Sequence, residues 1–353
     1  MREFTFAKAI NEALEIALTA DSGVLCYGLG VPDPGGVFGT TLGLQKKFGS
    51  DRVFDTPVSE NAMTGIGIGA ALKGLRPVMT HQRLDFFLLA VDQLVNNAAK
   101  WHFMFGGNGS SVPVTIRLIM GRGWGQGPTH SQNLQSWFAH IPGLKVVMPT
   151  TAADAKGLLL ESIFDDNPVI FLEHRWLHNN SGHVPEGDYR VPLGKAAKLR
   201  EGNALTVVAM SYMTAEAIHA VDYIQQKTGL TCDLIDLRTV KPLDWDLIGE
   251  SVRKTGKILV LDTGQEICSV GSDIVSRVAR KYFSFLKQAP ELMALPDCPT
   301  PTSPVLAEKY YKRADDIAAK IADINGLKID TTELKQLRGR HLDVPGSWFR
   351  GPF

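Results

Sequence analysis

The chain has 353 residues, of which 44% are apolar and 21% charged, and its formal net charge is zero. That length exceeds one core of ordinary size and predicts two domains of a folded, globular kind. A balanced charge leaves no basic excess to neutralise phosphates, which excludes a general nucleic-acid binder, and no run of about 18 apolar residues offers a membrane span.

The N-terminus, Met1-Arg2-Glu3-Phe4-Thr5-Phe6, has no basic region followed by an apolar stretch, so no secretory signal is expected. Apolar positions at helical spacing then predict a helix over residues 5–19, with Thr5 as its cap. Residues 23–28 read as a buried strand, 32–39 as a Pro/Gly loop, and 52–54 as a second strand. A helix dense in small residues is predicted over 61–73, a short strand over 76–79 and an amphipathic helix over 86–101. Residues 112–118 are β-rich and lead into a loop at 121–129; a strand at 145–148, a helix at 152–163 and a strand at 169–172 follow. Residues 177–202 are polar and rich in Asn, Gly and Pro. The alternation then restarts, with strands at 205–209, 232–236 and 257–261 and helices at 215–228, 247–254 and 270–282.

Strands that alternate with helices predict an α/β fold, with parallel sheets covered on both faces. The expected division is a first domain over 1–180, a linker over 181–202, a smaller second domain over 203–330 and a C-terminal extension over 331–353. Cys26, Cys232, Cys268 and Cys298 form no Cys-x-x-Cys pair. Such spacing fits reduced, mostly buried thiols in a cytoplasmic protein and argues against a zinc site.

Three places carry candidate chemistry. Asp55-Thr56-Pro57-Val58-Ser59-Glu60 puts an acid where a strand gives way to a tightly packed segment. A carboxylate partly buried there must be protonated, paired or hydrogen-bonded, the plain alternative being a helix-capping acid after Ser59. The following Gly65-x-Gly67-x-x-Ala70 formally matches a dinucleotide fingerprint, but it does not follow a strand directly and lacks the ribose-binding acid about 20 residues on. Close packing against a neighbouring element explains it better. The loop from Gly121 to Gln132 holds four glycines in seven residues and ends near His130. Such a loop lets a ligand approach, and a histidine there can exchange protons near neutral pH. Thr80-His81-Gln82-Arg83-Leu84-Asp85-Phe86-Phe87 mixes polar and aromatic residues, and Phe86 suits either stacking on a heteroaromatic ring or core packing. Asp165-Asp166-Asn167-Pro168 reads as a turn.

Taken together, residues 55–60, 90–100, 129–132, 137–149, 165–174 and 235–244 resemble one group over about residues 5–325. The chain resembles the β subunit of the thiamine-diphosphate-dependent first component of 2-oxoacid dehydrogenase complexes, of pyruvate, branched-chain or acetoin type, within the transketolase-like superfamily. The resemblance implies a pyrimidine-binding parallel-sheet domain followed by a transketolase C-terminal-like domain. It implies thiamine diphosphate as cofactor, with Mg²⁺ held by a separate α subunit that carries a Gly-Asp-Gly motif. This chain has none; Gly187-Asp188 is followed by Tyr189. An α2β2 heterotetramer is implied, with a lipoyl-bearing acyltransferase as acceptor. By position, Glu60 matches the glutamate that activates the aminopyrimidine, Phe86 the aromatic residue on that ring, and His130 the histidine implicated in acyl transfer. Ser162, Asp165 and Asn167 match a loop that holds potassium in some relatives, mainly through backbone carbonyls.

The chain also departs from that group. Leu29-Gly30 replaces two acids after Gly28, His81-Gln82-Arg83-Leu84-Asp85-Phe86 replaces an apolar stretch, and Leu118-Ile119-Met120 replaces Gly-Pro-Asn-Gly. His81, Arg83 and Asp85 would form an anion or hydroxyl clamp, which predicts a substrate more polar than pyruvate. Two alternatives stand beside this reading: a two-subunit transketolase-like or acyloin-forming enzyme without a lipoyl acceptor, and a non-catalytic scaffold subunit.

Overall fold

The computed structural model describes residues 2–107, 111–122 and 125–337. The chain divides into two compact units. The first takes the residues up to Met120 together with Trp137–Leu193, and the second takes Gly121–Ser136 together with the residues from Gly194 on.

The first unit begins with β1 (Glu3–Thr5) and α1 (Phe6–Ala20). Thr5 caps α1 by accepting the Lys8 N–H at 3.2 Å. Then come β2 (Val24–Tyr27), α2 (Leu44–Phe48), β3 (Val53–Phe54), α3 (Glu60–Leu72), β4 (Arg76–His81), α4 (Leu84–Phe87), β5 (Thr115–Met120), β6 (Lys145–Val147), β7 (Val169–His174) and β8 (Ser181–His183). A parallel sheet runs β6-β7-β5-β4-β2-β3. Strands β5 and β7 are buried along their whole length, as parallel strands covered on both faces must be. In register, Thr80 of β4 lies opposite Arg117 of β5, and Arg117 lies opposite Phe171 of β7.

Helix α3 lies close against this sheet. A Cβ at Gly67 would collide with the Tyr27 hydroxyl, and that hydroxyl donates to the Met63 carbonyl at 3.1 Å. Gly67 therefore serves helix–sheet contact, and the small residues of α3 sit inside a helix rather than in a phosphate-binding turn. The helix predicted over 86–101 is several pieces: α4, a 3₁₀ turn Leu88–Ala90, a π-helical segment Gln93–Ala98 and the helix Ala99–Met104.

The second unit adds β9 (Ala197–Arg200), β10 (Leu205–Ala209), β11 (Cys232–Asp236), β12 (Thr239–Lys241), β13 (Ile258–Gln265) and β14 (Glu291–Leu295). Its sheet runs β14-β13-β10-β11-β9, parallel except for β9. The core joins Val207, Leu234 and Leu259 of the strands to Ala217, Val221 and Ile224 of the helix Tyr212–Thr228 and to Ile317 and Ile321 of the helix Ala314–Ile324.

The polar stretch read as a linker contains two strands. β8 pairs with β1, Phe4 opposite Gly182, and β9 pairs with β11. Both are short antiparallel strands; Ser181–His183 has no apolar residue, and the Ala-Lys-Leu-Arg alternation of β9 spans only four residues. From Thr331 the structure shows the helix Thr332–Gln336; residues 338–353 of the expected extension lie outside the described residues. Among the described residues no helix is long and apolar enough to cross a membrane.

Candidate functional site

Glu60 is the first residue of α3, and it is half-buried. Ser59 precedes it as N-cap without a side-chain capping bond. The carbonyl of Glu60, not its carboxylate, takes the Thr64 hydroxyl at 2.8 Å. A carboxylate at that position faces the positive end of the helix. The neighbouring Asn61 donates to the Leu89 carbonyl at 3.4 Å and accepts from Gln93 at 3.3 Å, so the start of α3 lies beside the turn that follows Phe86.

Two adjacent aromatic residues divide their roles there. Phe87 is fully buried, with His81 edge-on at 5.0 Å and Phe138 at 6.1 Å. Phe86 is 38% exposed. The core-packing role belongs to Phe87, which leaves the ring of Phe86 presented at the surface. Phe87→Ala is expected to cost about 3–5 kcal/mol of stability, against about 0.5 kcal/mol for Phe86→Ala; comparison of their unfolding midpoints checks this.

The stretch 81–85 places its three polar side chains in different settings. His81 is buried with Nε2 at 3.0 Å from the Met79 sulfur, and burial drives its pKa down to about 3. A ring kept neutral in this way can exchange hydrogen bonds but brings no positive charge. Arg83 and Asp85 are also buried, and they flank Leu84 at the start of α4. Burial lowers the pKa of Arg83, with the charge of Asp85 opposing. Gln82 donates to the Leu29 carbonyl at 3.2 Å, and a Cβ at Gly30 would come within 2.6 Å of the Gln82 amide nitrogen. Gly30 also has φ +75°, so this turn takes glycine and excludes the acid expected from the resemblance.

His130 stands in the second unit, half-buried, with Nδ1 at 3.0 Å from the Thr129 hydroxyl. Gly127 at φ +69° shapes the turn that brings the His130 N–H to the Gly127 carbonyl at 3.4 Å, and a Cβ there would lie 2.5 Å from the Thr302 hydroxyl. The far end of this loop is anchored by buried Gln135, which donates to Asp262 at 2.6 Å and Thr263 at 3.2 Å. Burial raises the pKa of Asp262, against N–H donors from Gly264 and Gly271 and the Gln135 amide. Gly123 and Trp124 of the predicted loop lie outside the described residues.

Sequence reasoning missed a buried network. Arg117 grips Glu173 through two bonds of 2.6 and 3.0 Å, with both side chains fully buried, and donates to the Thr80 hydroxyl at 3.2 Å. Burial would raise the carboxyl of Glu173, but the Arg117 charge and bonds from His178 and Arg117 outweigh it and hold the pKa at about 2. His178 Nε2 lies 3.3 Å from Glu173, and its Nδ1 lies 3.3 Å from Arg175. Burial lowers the His178 pKa despite Glu173. An arginine inside a β-strand was the available signal, because a buried cation requires a partner.

In the loop proposed for potassium, the Asp165 carboxylate pairs with Lys145 and accepts the Asn167 N–H at 2.9 Å. The Ser162 carbonyl accepts the Thr115 hydroxyl at 3.0 Å, and the Asp165 carbonyl accepts Arg76 at 3.0 Å. Of the four cysteines, Cys26 and Cys232 are buried while Cys268 and Cys298 are exposed, so only half match the buried thiols expected.

Fold and site define a transketolase-like chain. Residues 2–179 match the family model of the transketolase pyrimidine binding domain, and residues 194–317 match that of the transketolase C-terminal domain. A solved split gene transketolase, an inactive β4 tetramer, has a TM-score of 0.74 and 20% identity, covering 92% of this chain and 99% of its own, a likeness of fold. The β subunit of acetoin:2,6-dichlorophenolindophenol oxidoreductase from Cupriavidus necator is 42% identical over 328 residues, which is 90% of this chain and 96% of that protein. The β subunit of the pyruvate dehydrogenase E1 component from Rickettsia felis is 39% identical over 322 residues, covering 91% and 98%. The chain belongs to this family, the β subunits of the thiamine-diphosphate-dependent first component of 2-oxoacid dehydrogenases. A β subunit works in a heteromer with an α subunit.

Proposed function

We propose that the chain is the β half of an α2β2 enzyme of the cytoplasm that decarboxylates a polar 2-oxoacid and passes the acyl group to the lipoyl arm of an acyltransferase. The observation that carries this reading is half-buried Glu60 at the head of α3, whose neighbour Asn61 bonds the Leu89 carbonyl three residues beyond the presented ring of Phe86. An acid able to hold a proton and an aromatic face able to cover a heteroaromatic ring are what an aminopyrimidine requires. Thiamine diphosphate, when bound, would supply the electron sink for decarboxylation. Glu60 hydrogen-bonds the pyrimidine ring and controls its proton. Phe86 covers the ring, so Phe86→Ala weakens cofactor affinity about two- to tenfold in a titration of the α/β complex. His130 carries a proton to or from the substrate. Mg²⁺ is assigned to the α subunit, since this chain has no Gly-Asp-Gly. A potassium ion at 162–167 would use main-chain carbonyls of Ser162, Asp165 and Asn167, because the Asp165 carboxylate is committed to Lys145.

The deciding experiment reconstitutes the chain with its α partner, thiamine diphosphate, Mg²⁺ and a free lipoyl domain, and follows reductive acylation of that domain by mass. Acylation from a 2-oxoacid supports the reading. Turnover of a 2-oxoacid or sugar without acylation replaces it with the transketolase-like or acyloin-forming alternative, and absence of both leaves the scaffold subunit.

A further inference from the structure

The first unit holds a cavity that the cofactor residues do not line. Gly30 lies in the loop after β2, Glu60 heads the helix after β3, and Gln82 comes directly after β4. These are the carboxyl ends of neighbouring parallel strands, where open α/β sheets take their ligands. The Gly30 N–H donates to the Asp55 carboxylate at 2.9 Å, which ties this loop to the segment leading into Glu60. Gly30, Asp33, Phe38 and Gln82 line the cavity, whose volume is about 500 Å³.

A donor and an acceptor converge there. From the position that a Cβ would take on Gly30, the Gln82 Nε2 lies at 2.6 Å and the Asp33 Oδ2 at 2.9 Å. Glycine at 30 leaves that space open. The bond from Gln82 to the Leu29 carbonyl at 3.2 Å identifies the amide nitrogen, and an NH₂ group has a second proton to give. The loop around Asp33 is held by main-chain bonds, from its N–H to Gly30 at 3.2 Å and from the Gly36 N–H to its carbonyl at 2.7 Å. Its carboxylate is therefore not spent on the loop. Asp33 is exposed, and among the described residues that line the cavity it alone is charged. Phe38 supplies an apolar wall, 40% exposed and held at φ 50°, ψ 36°. A bulky residue in the left-handed region is strained, and such strain concentrates where a side chain is held for a ligand.

We propose that this cavity takes a hydroxyl group of the substrate, which donates to Asp33 and accepts from Gln82, with the carbon chain against Phe38. A hydroxyl gives and takes at once. An ammonium only donates, so it leaves the Gln82 N–H without an acceptor. The guanidinium of Arg175, 4.0 Å from the ring centre of Phe38, also opposes a second cation on that ring. A carboxylate or phosphate meets the like charge of Asp33. The substrate is then a 2-oxoacid with a hydroxyl on its chain. This choice of substrate rests on the function proposed above; the hydroxyl site does not.

The test titrates the α/β holoenzyme calorimetrically with 4,5-dihydroxypentanoate, pentanoate, 5-aminopentanoate and glutarate. The dihydroxy acid is expected to bind at least about tenfold tighter than each of the others. Asp33→Ala should reduce that preference to about twofold or less, and Asp33→Asn, which still accepts, should keep part of it. Gly30→Ala, which fills the space between the two groups, should abolish it. Asp33 is exposed and its loop bonds are main-chain, so its variants retain the fold where Gly30→Ala fails. Four results overturn the proposal: tighter binding of 5-aminopentanoate or glutarate, equal binding of the dihydroxy acid and pentanoate, no binding of any, or a preference that survives Asp33→Ala. Turnover of 4,5-dihydroxy-2-oxopentanoate and 2-oxopentanoate separates the two readings. A binding preference lost in Asp33→Ala, with neither 2-oxoacid turned over, keeps the hydroxyl site and removes the dehydrogenase. Equal kcat/KM for both 2-oxoacids keeps the dehydrogenase and overturns the proposal.

Discussion

Glu60→Gln is expected to lower turnover of the assembled enzyme by about a hundred- to ten-thousandfold, the range of a positioned proton-transfer group. The substitution keeps the shape of the side chain and removes its ability to take a proton. Helix α3 does not depend on that carboxylate, because the bond made at this position is from the Thr64 hydroxyl to the Glu60 carbonyl. The melting temperature and the assembly with the α subunit should therefore be unchanged while activity falls. Turnover within a few-fold of the parent, measured at saturating thiamine diphosphate and Mg²⁺, would remove Glu60 from the mechanism.

Glu173→Ala is expected to cost about 3–5 kcal/mol of stability, because it leaves Arg117 buried and uncompensated. Arg117 sits in the middle of β5 with no exposure, and it cannot shed its charge. Replacing both partners with apolar residues, as in Arg117→Met with Glu173→Leu, should be far milder than either single change. Denaturant unfolding of the three variants gives the comparison. The pair also sets an acid limit. The carboxyl of Glu173 is held at about 2 against an ordinary 4.5. A depressed pKa contributes stability that is complete above about 4.5 and is lost as the pH falls toward about 2. Acid unfolding of the parent should therefore have a component in that window that Glu173→Gln lacks.

Much of the scaffold was legible because parallel strands buried on both faces read as nearly continuous apolar runs, as at Val169–Leu172 and, with Thr206 the one polar residue, Leu205–Ala209. The edge strands were not. Ser181–His183 and Ala197–Arg200 pair with Glu3–Thr5 and Cys232–Asp236, and three or four residues are too few for a strand pattern to stand out from the polar stretch around them. The helix Ala314–Ile324 was missed although its buried positions follow helical spacing; three of the seven are alanines, which give a weak apolar stripe. For the site, Glu60 and Phe86 were visible from motif position, and the structure distinguishes Phe86 from Phe87 by exposure alone. The burial of His81 was not legible, because residue type says nothing of which face of β4 it occupies. Arg175 was silent for the opposite reason: Phe38, whose ring its guanidinium covers at 4.0 Å, is distant in sequence, and only folding brings the two together.

The residues 121–136 belong to the second unit although they are made in the middle of the first. Gln135 finds its acceptor Asp262 127 residues later. During synthesis the histidine loop is thus complete long before its anchor leaves the ribosome, an interval on the order of ten seconds at ordinary translation rates. A fragment ending near residue 193 would carry His130 yet lack the carboxylate that fixes the end of its loop. No single cut separates the units cleanly, so domain exchange with a relative must transplant 121–136 along with the C-terminal half or leave that loop without its anchor.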